Sequence, residues 1–110
     1  MTDFDRLNLA IEVACKEEGV TRNQFLSKSR IQHYVEARRL YYYLAFHVLG
    51  LSHQQAANHA GAKNHSTSVL HCQNVQNWMA QSEAYRQKIE DASQVLATII
   101  KKRRPTFSGD

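Results

Sequence analysis

The sequence predicts an all-α fold, a compact bundle of about six helices that contains a helix-turn-helix. Apolar residues recur at spacings of three and four, and β-branched residues do not alternate with polar ones. Only one proline and four glycines interrupt the 110 residues. A hydrophobic content of 43% suffices for one core without disulfides or metal, so Cys15 and Cys72 are expected to be buried thiols. These observations predict one domain over residues 1–104 and a short flexible tail over residues 105–110.

The first helix is predicted over Asp3–Glu18, with one buried stripe made of Phe4, Leu7, Ile11 and Ala14. Gly19 ends it, because glycine adopts the left-handed conformation without steric cost. Thr21 then caps a short second helix that ends near Leu26.

A long third helix is predicted over residues 32–49, after a polar loop over residues 27–30. Its core face is expected to contain Tyr34, Ala37, Tyr41, Leu44 and Val48. Arg38 and Tyr42 are expected on the opposite side. The run of three tyrosines cannot form one base-stacking platform, because consecutive helical residues point about 100° apart.

The segment over residues 52–71 predicts the helix-turn-helix. Ser52 and Gln55 form a capping-box pattern at the start of the fourth helix, and Gly61 ends that helix. The fifth helix is expected to start near Asn64 with short polar side chains and to run to about Met79. Its inward residues are expected to be Val69, Cys72, Val75 and Met79.

The last helix is predicted to start at Ser82, which is a favourable capping residue. Its apolar stripe is Tyr85, Ile89, Ala92, Leu96 and Ile99. The basic run over residues 101–104 suits the negative end of a helix dipole, and Pro105 follows it.

Charge favours a polyanionic partner without proving one. The formal net charge is +4 and the sequence pI is near 9.3. No charged-then-apolar leader opens the chain and no apolar run approaches about 18 residues, so we expect a cytoplasmic protein without a membrane span.

Five short motifs carry a resemblance to a known family. They are SKSR at residues 27–30, EARR at 36–39, LS at 51–52, NHST at 64–67 and VLH at 69–71. Their order and spacing resemble the C-terminal DnaA-box-binding domain of the bacterial replication initiator, in which the pattern is roughly SKSR, ARQ, LS and then GGRDHTTVLH. The resemblance covers about residues 4–78. It implies a fold similar to that of the Trp repressor and the DNA-binding domain IV of the initiator.

The resemblance also implies a function, namely sequence-specific binding of double-stranded DNA at DnaA-box-like sites. It places Arg30 in the minor groove, the start of the fifth helix in the major groove and the other basic residues on phosphates. The protein would then regulate or modulate replication initiation or transcription. The DNA-binding residues predicted in this way are Lys28, Arg30, Arg38, Arg39, His53, Gln54, Lys63, Asn64, His65, Ser66, Thr67 and Ser68.

The sequence departs from the family pattern at the turn. Gly61-Ala62 replaces two glycines, Lys63-Asn64 replaces Arg-Asp, and Ser68 reads as one inserted residue. Such an insertion either precedes the first regular turn or rotates the groove-facing set by about 100°. An amide at Asn64 in place of an acid favours adenine over the cytosine amine.

Other interpretations of the sequence are weaker. Five histidines, from His47 to His71, recur every six residues, but neighbours in that series face apart, so we expect neither a metal site nor a cofactor. His71 is expected to pack between helices or to act as a capping group. The alternative function is a helical adaptor that binds replication or transcription proteins without reading DNA. No nucleophile and base, paired carboxylates or phosphate-binding glycine loop indicates an enzyme. We expect a monomer and a stand-alone domain rather than a piece of a larger initiator.

Overall fold

The chain folds into six α-helices in a computed structural model that describes residues 1–103. The described residues contain no β-strand, which confirms the predicted all-α class. Arg104 and the predicted tail over residues 105–110 lie outside the described residues. The helices are α1 (Asp3–Glu18), α2 (Arg22–Leu26), α3 (Gln32–Tyr43), α4 (His53–His59), α5 (Ser66–Gln81) and α6 (Glu83–Arg103).

Local sequence signals fix most of the helix ends. Helices α1, α2 and α4 begin with capping boxes, in which a Thr or Ser side chain accepts from a backbone N–H three residues on while that residue's side chain accepts from the cap. The pairs are Thr2 with Asp5, Thr21 with Gln24, and Ser52 with Gln55. Ser82 Oγ likewise accepts from Tyr85 N at 3.1 Å before α6. The predicted caps at residues 21, 52 and 82 are therefore confirmed.

The predicted long helix continues beyond α3 as a wider turn. Residues Leu44–Val48 form a π-helical turn, in which Leu49 N donates to Leu44 O at 3.0 Å. Gly50 follows with φ 69°, which turns the chain toward α4. The extent of the predicted helix is correct, but its last turn is wider than an α-helix.

Helix α3 lies at the centre of the bundle and contacts α1, α2, α4 and α5. Tyr41 is fully buried, as predicted, and its hydroxyl donates to Ala56 O at 2.7 Å. This bond satisfies a polar group that would be costly to bury alone. The predicted stripe of α6 is also confirmed, since Ile89, Ala92 and Leu96 are buried and Tyr85 and Ile99 pack against the core.

Two predictions about the core are wrong. Phe4 is 64% exposed, because it lies in the first turn of α1, and its ring meets His59 edge to face with centroids 5.0 Å apart. Tyr42 is buried rather than outward, because α5 covers that side of α3 as well. Its ring stacks on His71 at 5.4 Å. A central helix is thus buried over more of its circumference than a single stripe indicates.

Both cysteines are buried and unbonded to each other. Within residues 1–103, no helix has the length and apolar character that crossing a membrane requires. The same part of the chain contains no cluster of three or more histidine, cysteine or acidic side chains that could hold a metal ion.

Candidate nucleic-acid interface

Helices α4 and α5 form the helix-turn-helix that the sequence predicts. Gly61 has φ 81°, a left-handed conformation that ends α4. Ala62 N reaches back to Ala57 O at 2.9 Å, and Gly61 N donates to Asn58 O at 3.2 Å. These bonds satisfy the last carbonyls of α4 and fix the direction in which the chain enters α5.

Helix α5 begins at Ser66, two residues later than predicted. Asn64 is not its N-cap. The Asn64 Oδ1 atom instead accepts from Ser66 N at 2.9 Å, so the amide still satisfies the first helical N–H from within the turn. All five side chains over residues 63–67 are exposed, and they form one polar row at the positive end of α5: Lys63, Asn64, His65, Ser66 and Thr67.

Ser68 does not belong to this row, which corrects the prediction that it faces a nucleic acid. The residue is 0% exposed, and its Oγ lies 2.8 Å from His53 Nδ1. Ser68 shares the inward face of α5 with Cys72 and Val75. Val69, which was predicted to point inward, is only half-buried.

The continuous helix α5 favours one position for the extra residue relative to the family pattern, namely the turn before it. Helix α5 is an unbroken α-helix from Ser66, so its phase is continuous with Val69-Leu70-His71. Counting back from these residues puts the pattern's threonine pair on Thr67 and Ser68 and its Asp-His on His65 and Ser66. This count is the register that we adopt as a hypothesis, in which the insertion lengthens the turn before α5 and leaves the helix in phase.

His53 and Gln54, at the start of α4, differ in the solvent exposure of their side chains. The His53 ring is half-buried and stacks on Phe46 of the π-helical turn, with centroids 3.9 Å apart and planes at 8°. Its Nδ1 is hydrogen-bonded to Ser68 Oγ. Gln54 is exposed and donates to Asn58 Oδ1 at 2.7 Å. Asn58 is a polar surface residue that sequence reasoning missed, and its helical spacing of four from Gln54 is the signal that could have indicated it.

The loop between α2 and α3 presents Lys28 and Arg30, both of which are exposed as predicted for residues that reach a ligand. Serine side chains form short turns within this loop. Ser29 N donates to Ser27 Oγ at 3.4 Å, and Ile31 N donates to Ser29 Oγ at 3.3 Å. The long distances show weak bonds.

The Arg38 side chain is partly buried beneath this loop, where its donors bind backbone carbonyls, and its phosphate contact stays a prediction. Its Nε donates to Phe25 O at 2.8 Å, Nη1 donates to Ser29 O at 2.8 Å, and Nη2 donates to Ser27 O at 2.5 Å. A further bond from Nη2 reaches Gln24 O at 3.2 Å. Burial lowers the pKa of Arg38.

Arg39 is also used inside the fold. Its Nη1 lies 2.6 Å from Glu36 Oε1, and its guanidinium group lies 4.5 Å from the centre of the Trp78 ring. The Arg39 side chain is 18% exposed. Ion pairing and cation–π contact with α5 explain this position better than a role at the surface.

A cleft of about 440 Å³ separates the α2–α3 loop from the helix-turn-helix. None of the described residues that line it is acidic. Its polar lining includes Ser27, Lys28, Arg38, Tyr42, Asn58, His59, Thr67 and His71. The α2–α3 loop and the start of α5, which both expose polar side chains, therefore lie on either side of a cleft whose surface suits a negatively charged ligand.

His71 forms the base of this cleft and packs between helices, as predicted. Burial, with contributions from Arg39 and Arg38, lowers the pKa of His71 to about 4. Its ring is therefore neutral near pH 7, and its Nδ1 is buried without a hydrogen-bond partner among residues 1–103. Burial also raises the pKa of Tyr42 to about 12 and that of Cys72 to about 11. These groups are packing residues without charge at neutral pH.

The fold and the exposed row define a small helix-turn-helix protein. Residues 8–75 match the family described as the bacterial dnaA protein helix-turn-helix, so the chain belongs to that family. The chromosomal replication initiator protein DnaA of Campylobacter concisus is 32% identical over 92 residues, which are 84% of this chain and 21% of that protein. The protein of the same name from a Synechococcus strain is 25% identical over 96 residues, 87% of this chain and 21% of the relative.

A third relative of the same name, from Porphyromonas gingivalis, is 29% identical over 93 residues, which are 79% of this chain and 20% of that protein. The chain thus spans about a fifth of the length of the curated relatives that it matches. No solved structure matches the chain closely enough to add to this comparison.

Proposed function

We propose that this protein binds double-stranded DNA sequence-specifically at DnaA-box-like sites. The observation that carries the proposal is the exposed polar row over residues 63–67 at the start of α5, within a chain that belongs to the dnaA helix-turn-helix family. In this account, α5 enters the major groove and Arg30 enters the adjacent minor groove.

The side chains of the row suit the edges of base pairs. His65 offers ring donor and acceptor atoms, while Ser66 and Thr67 offer hydroxyl groups that bond to several bases. The Thr67 methyl group can contact the methyl group of thymine. Because these residues lie at the N-terminus of a 16-residue helix, the helix dipole also favours the phosphates that flank the groove.

Arg30 and the start of α5 lie on opposite sides of the cleft. This arrangement matches a duplex, in which a minor groove and a major groove lie side by side. A phosphodiester strand separates each minor groove from the neighbouring major groove, so the strand would pass over the cleft. Lys28 and Lys63 are exposed on either side and would contact phosphates. The absence of carboxylates among the described lining residues removes a source of repulsion.

A protein with this interface acts as a regulator or modulator of replication initiation or transcription, by occupying sites that a full-length initiator also recognises. It acts in the cytoplasm, with double-stranded DNA as its principal partner. Replication or transcription proteins are further partners in this account.

Fluorescence anisotropy with a DnaA-box duplex and a scrambled duplex tests the proposal. We expect tighter binding to the box, and Thr67→Ala should weaken binding to the box more than binding to the scrambled duplex, because base contacts carry specificity. Gln87→Ala on the exposed face of α6 is the matched control and should change neither affinity. Equal affinity of the parent protein for both duplexes would refute sequence-specific binding. Retention of a replication protein without DNA binding would favour the adaptor instead.

A further inference from the structure

We infer that Arg38 is a positioning residue, which holds the α2–α3 loop in the conformation that presents Arg30. The expected effect of Arg38 on DNA binding rests on the proposed function. Its structural part, that Arg38 orders the loop, stands without DNA. The guanidinium group of Arg38 donates to the carbonyl oxygens of Phe25, Ser27 and Ser29, which brings the end of α2 and the loop to one point.

The planar guanidinium group is essential to this arrangement. Its donors form a fixed fork, so bonds to several carbonyls hold those carbonyls in fixed relative positions. Bonds from a charged donor are also shorter and stronger than neutral ones. Ser27 Oγ donates to Gln24 O at 2.7 Å at the end of α2, but the bonds from loop N–H groups to serine hydroxyls are 3.3 and 3.4 Å long. The loop carbonyls of Ser27 and Ser29 accept from Arg38 at 2.5 and 2.8 Å, so Arg38 makes short, charge-assisted contacts to this loop. A lysine ammonium at this position would keep the charge and lose the fork.

Arg30 follows directly after the last carbonyl that Arg38 holds, that of Ser29. Its backbone is therefore placed by the fold, while its side chain is exposed. A loop that is ordered before binding avoids an entropic cost that a mobile loop meets on binding. Fixing about one residue of backbone corresponds to roughly a tenfold change in affinity, which is the effect that we expect from losing Arg38.

The competing explanation is that Arg38 neutralises a phosphate directly, since the side chain is only partly buried and lines the cleft. The two explanations differ for a lysine substitution. A phosphate contact tolerates lysine, which is also a good phosphate ligand, whereas a fork that holds separate carbonyls does not tolerate it.

The experiment compares Arg38→Lys, Arg38→Gln, Arg30→Ala and the two double variants in anisotropy titrations at several salt concentrations. We expect Arg38→Lys and Arg38→Gln to weaken binding to the preferred duplex about equally, by roughly tenfold. Each double variant should bind only slightly more weakly than Arg30→Ala alone, because Arg30 is already absent and only the Lys28 phosphate contact remains to be displaced with the loop. Arg86→Lys, at an exposed position of α6 outside the predicted interface, is the matched control and should stay within about twofold.

A measurement without DNA separates this inference from the proposed function. The ¹⁵N relaxation of the Ser29 and Arg30 amides should give order parameters of about 0.85 in the parent protein and below about 0.6 in Arg38→Lys. Circular dichroism shows whether each variant folds, and if Arg38→Gln is unfolded the lysine variant alone decides. Parent-like affinity and unchanged loop order in Arg38→Lys would overturn the inference. If the parent binds no duplex, the proposed function fails, and the relaxation result still decides the role of Arg38 in the loop.

Discussion

Substitution of Ser68 by alanine removes one buried hydroxyl and the 2.8 Å contact between its Oγ and His53 Nδ1. Ser68 is 0% exposed, so no water replaces the hydroxyl on its own side. The His53 ring is half-buried, and its nitrogen can recover part of the loss from solvent. A net loss of about 1 kcal/mol in the free energy of unfolding follows from the usual worth of one such hydrogen bond. The corresponding decrease in Tm is roughly 4 °C for a domain of this size.

Urea unfolding measures this loss. The slope of the free energy of unfolding against urea concentration should be the same in the variant and the parent, which would show that the unfolded state is not altered. Ser66→Ala is the matched control, because Ser66 is the first residue of the same helix and its side chain is exposed, so its loss should cost less than about 0.5 kcal/mol. A double-mutant cycle with His53→Ala should give a coupling of about 0.5–1 kcal/mol. Equal effects of Ser68→Ala and Ser66→Ala, or no coupling to His53, would refute the inward placement of Ser68.

Three further predictions concern charge and base preference. The pKa of His71 falls from 6.5 to about 4 on folding. The unfolded chain therefore binds more protons between these values, and stability decreases as pH falls through that range. Because His71 is partly exposed, we expect this residue to contribute a loss of about 1–2 kcal/mol. Folding also lowers the pKa of His47, His53 and His59, so urea unfolding at pH 7 and pH 4 should show a loss in both proteins that is smaller by about this amount in His71→Phe; equal losses would exclude His71 as a contributor. Lys63→Ala should weaken binding to all duplexes alike and lower the salt slope by about one, and an unchanged slope would exclude Lys63 from the phosphate contacts. His65→Asp should shift base preference toward cytosine more than Asn64→Asp, because the helix phase puts position 65 where the family pattern has its acid; selected sites that change only for Asn64→Asp would contradict this register.

Signals that act over a few residues made much of the fold predictable. Capping at Ser52 and Ser82 depends on one side chain and the next turn of backbone, so the sequence alone indicates it. Gly61 is similar, because the left-handed turn depends on its own missing side chain. The stripe of α6 was also predictable, since a single face of a surface helix packs on the bundle.

The orientation of individual side chains was not predictable in the same way. Ser68 reads as a surface residue by chemistry, and its burial depends on His53, 15 positions earlier, offering a partner. Arg38 reads as a phosphate ligand, but the carbonyls that it binds come from a different helix and loop. Such contacts depend on how elements meet in space. Periodicity places a residue on a helix without stating what the neighbouring element presents to it.

Selection from a randomised duplex library tests the central claim most directly. The parent protein should enrich a single motif related to the DnaA box, and a variant that combines Arg30→Ala with Thr67→Ala should lose that enrichment while remaining folded by circular dichroism. The enrichment should also survive an increase in salt that removes most non-specific binding, because base contacts are less sensitive to salt than phosphate contacts. A parent protein that enriches no motif at any salt concentration would contradict the account of a sequence-reading domain.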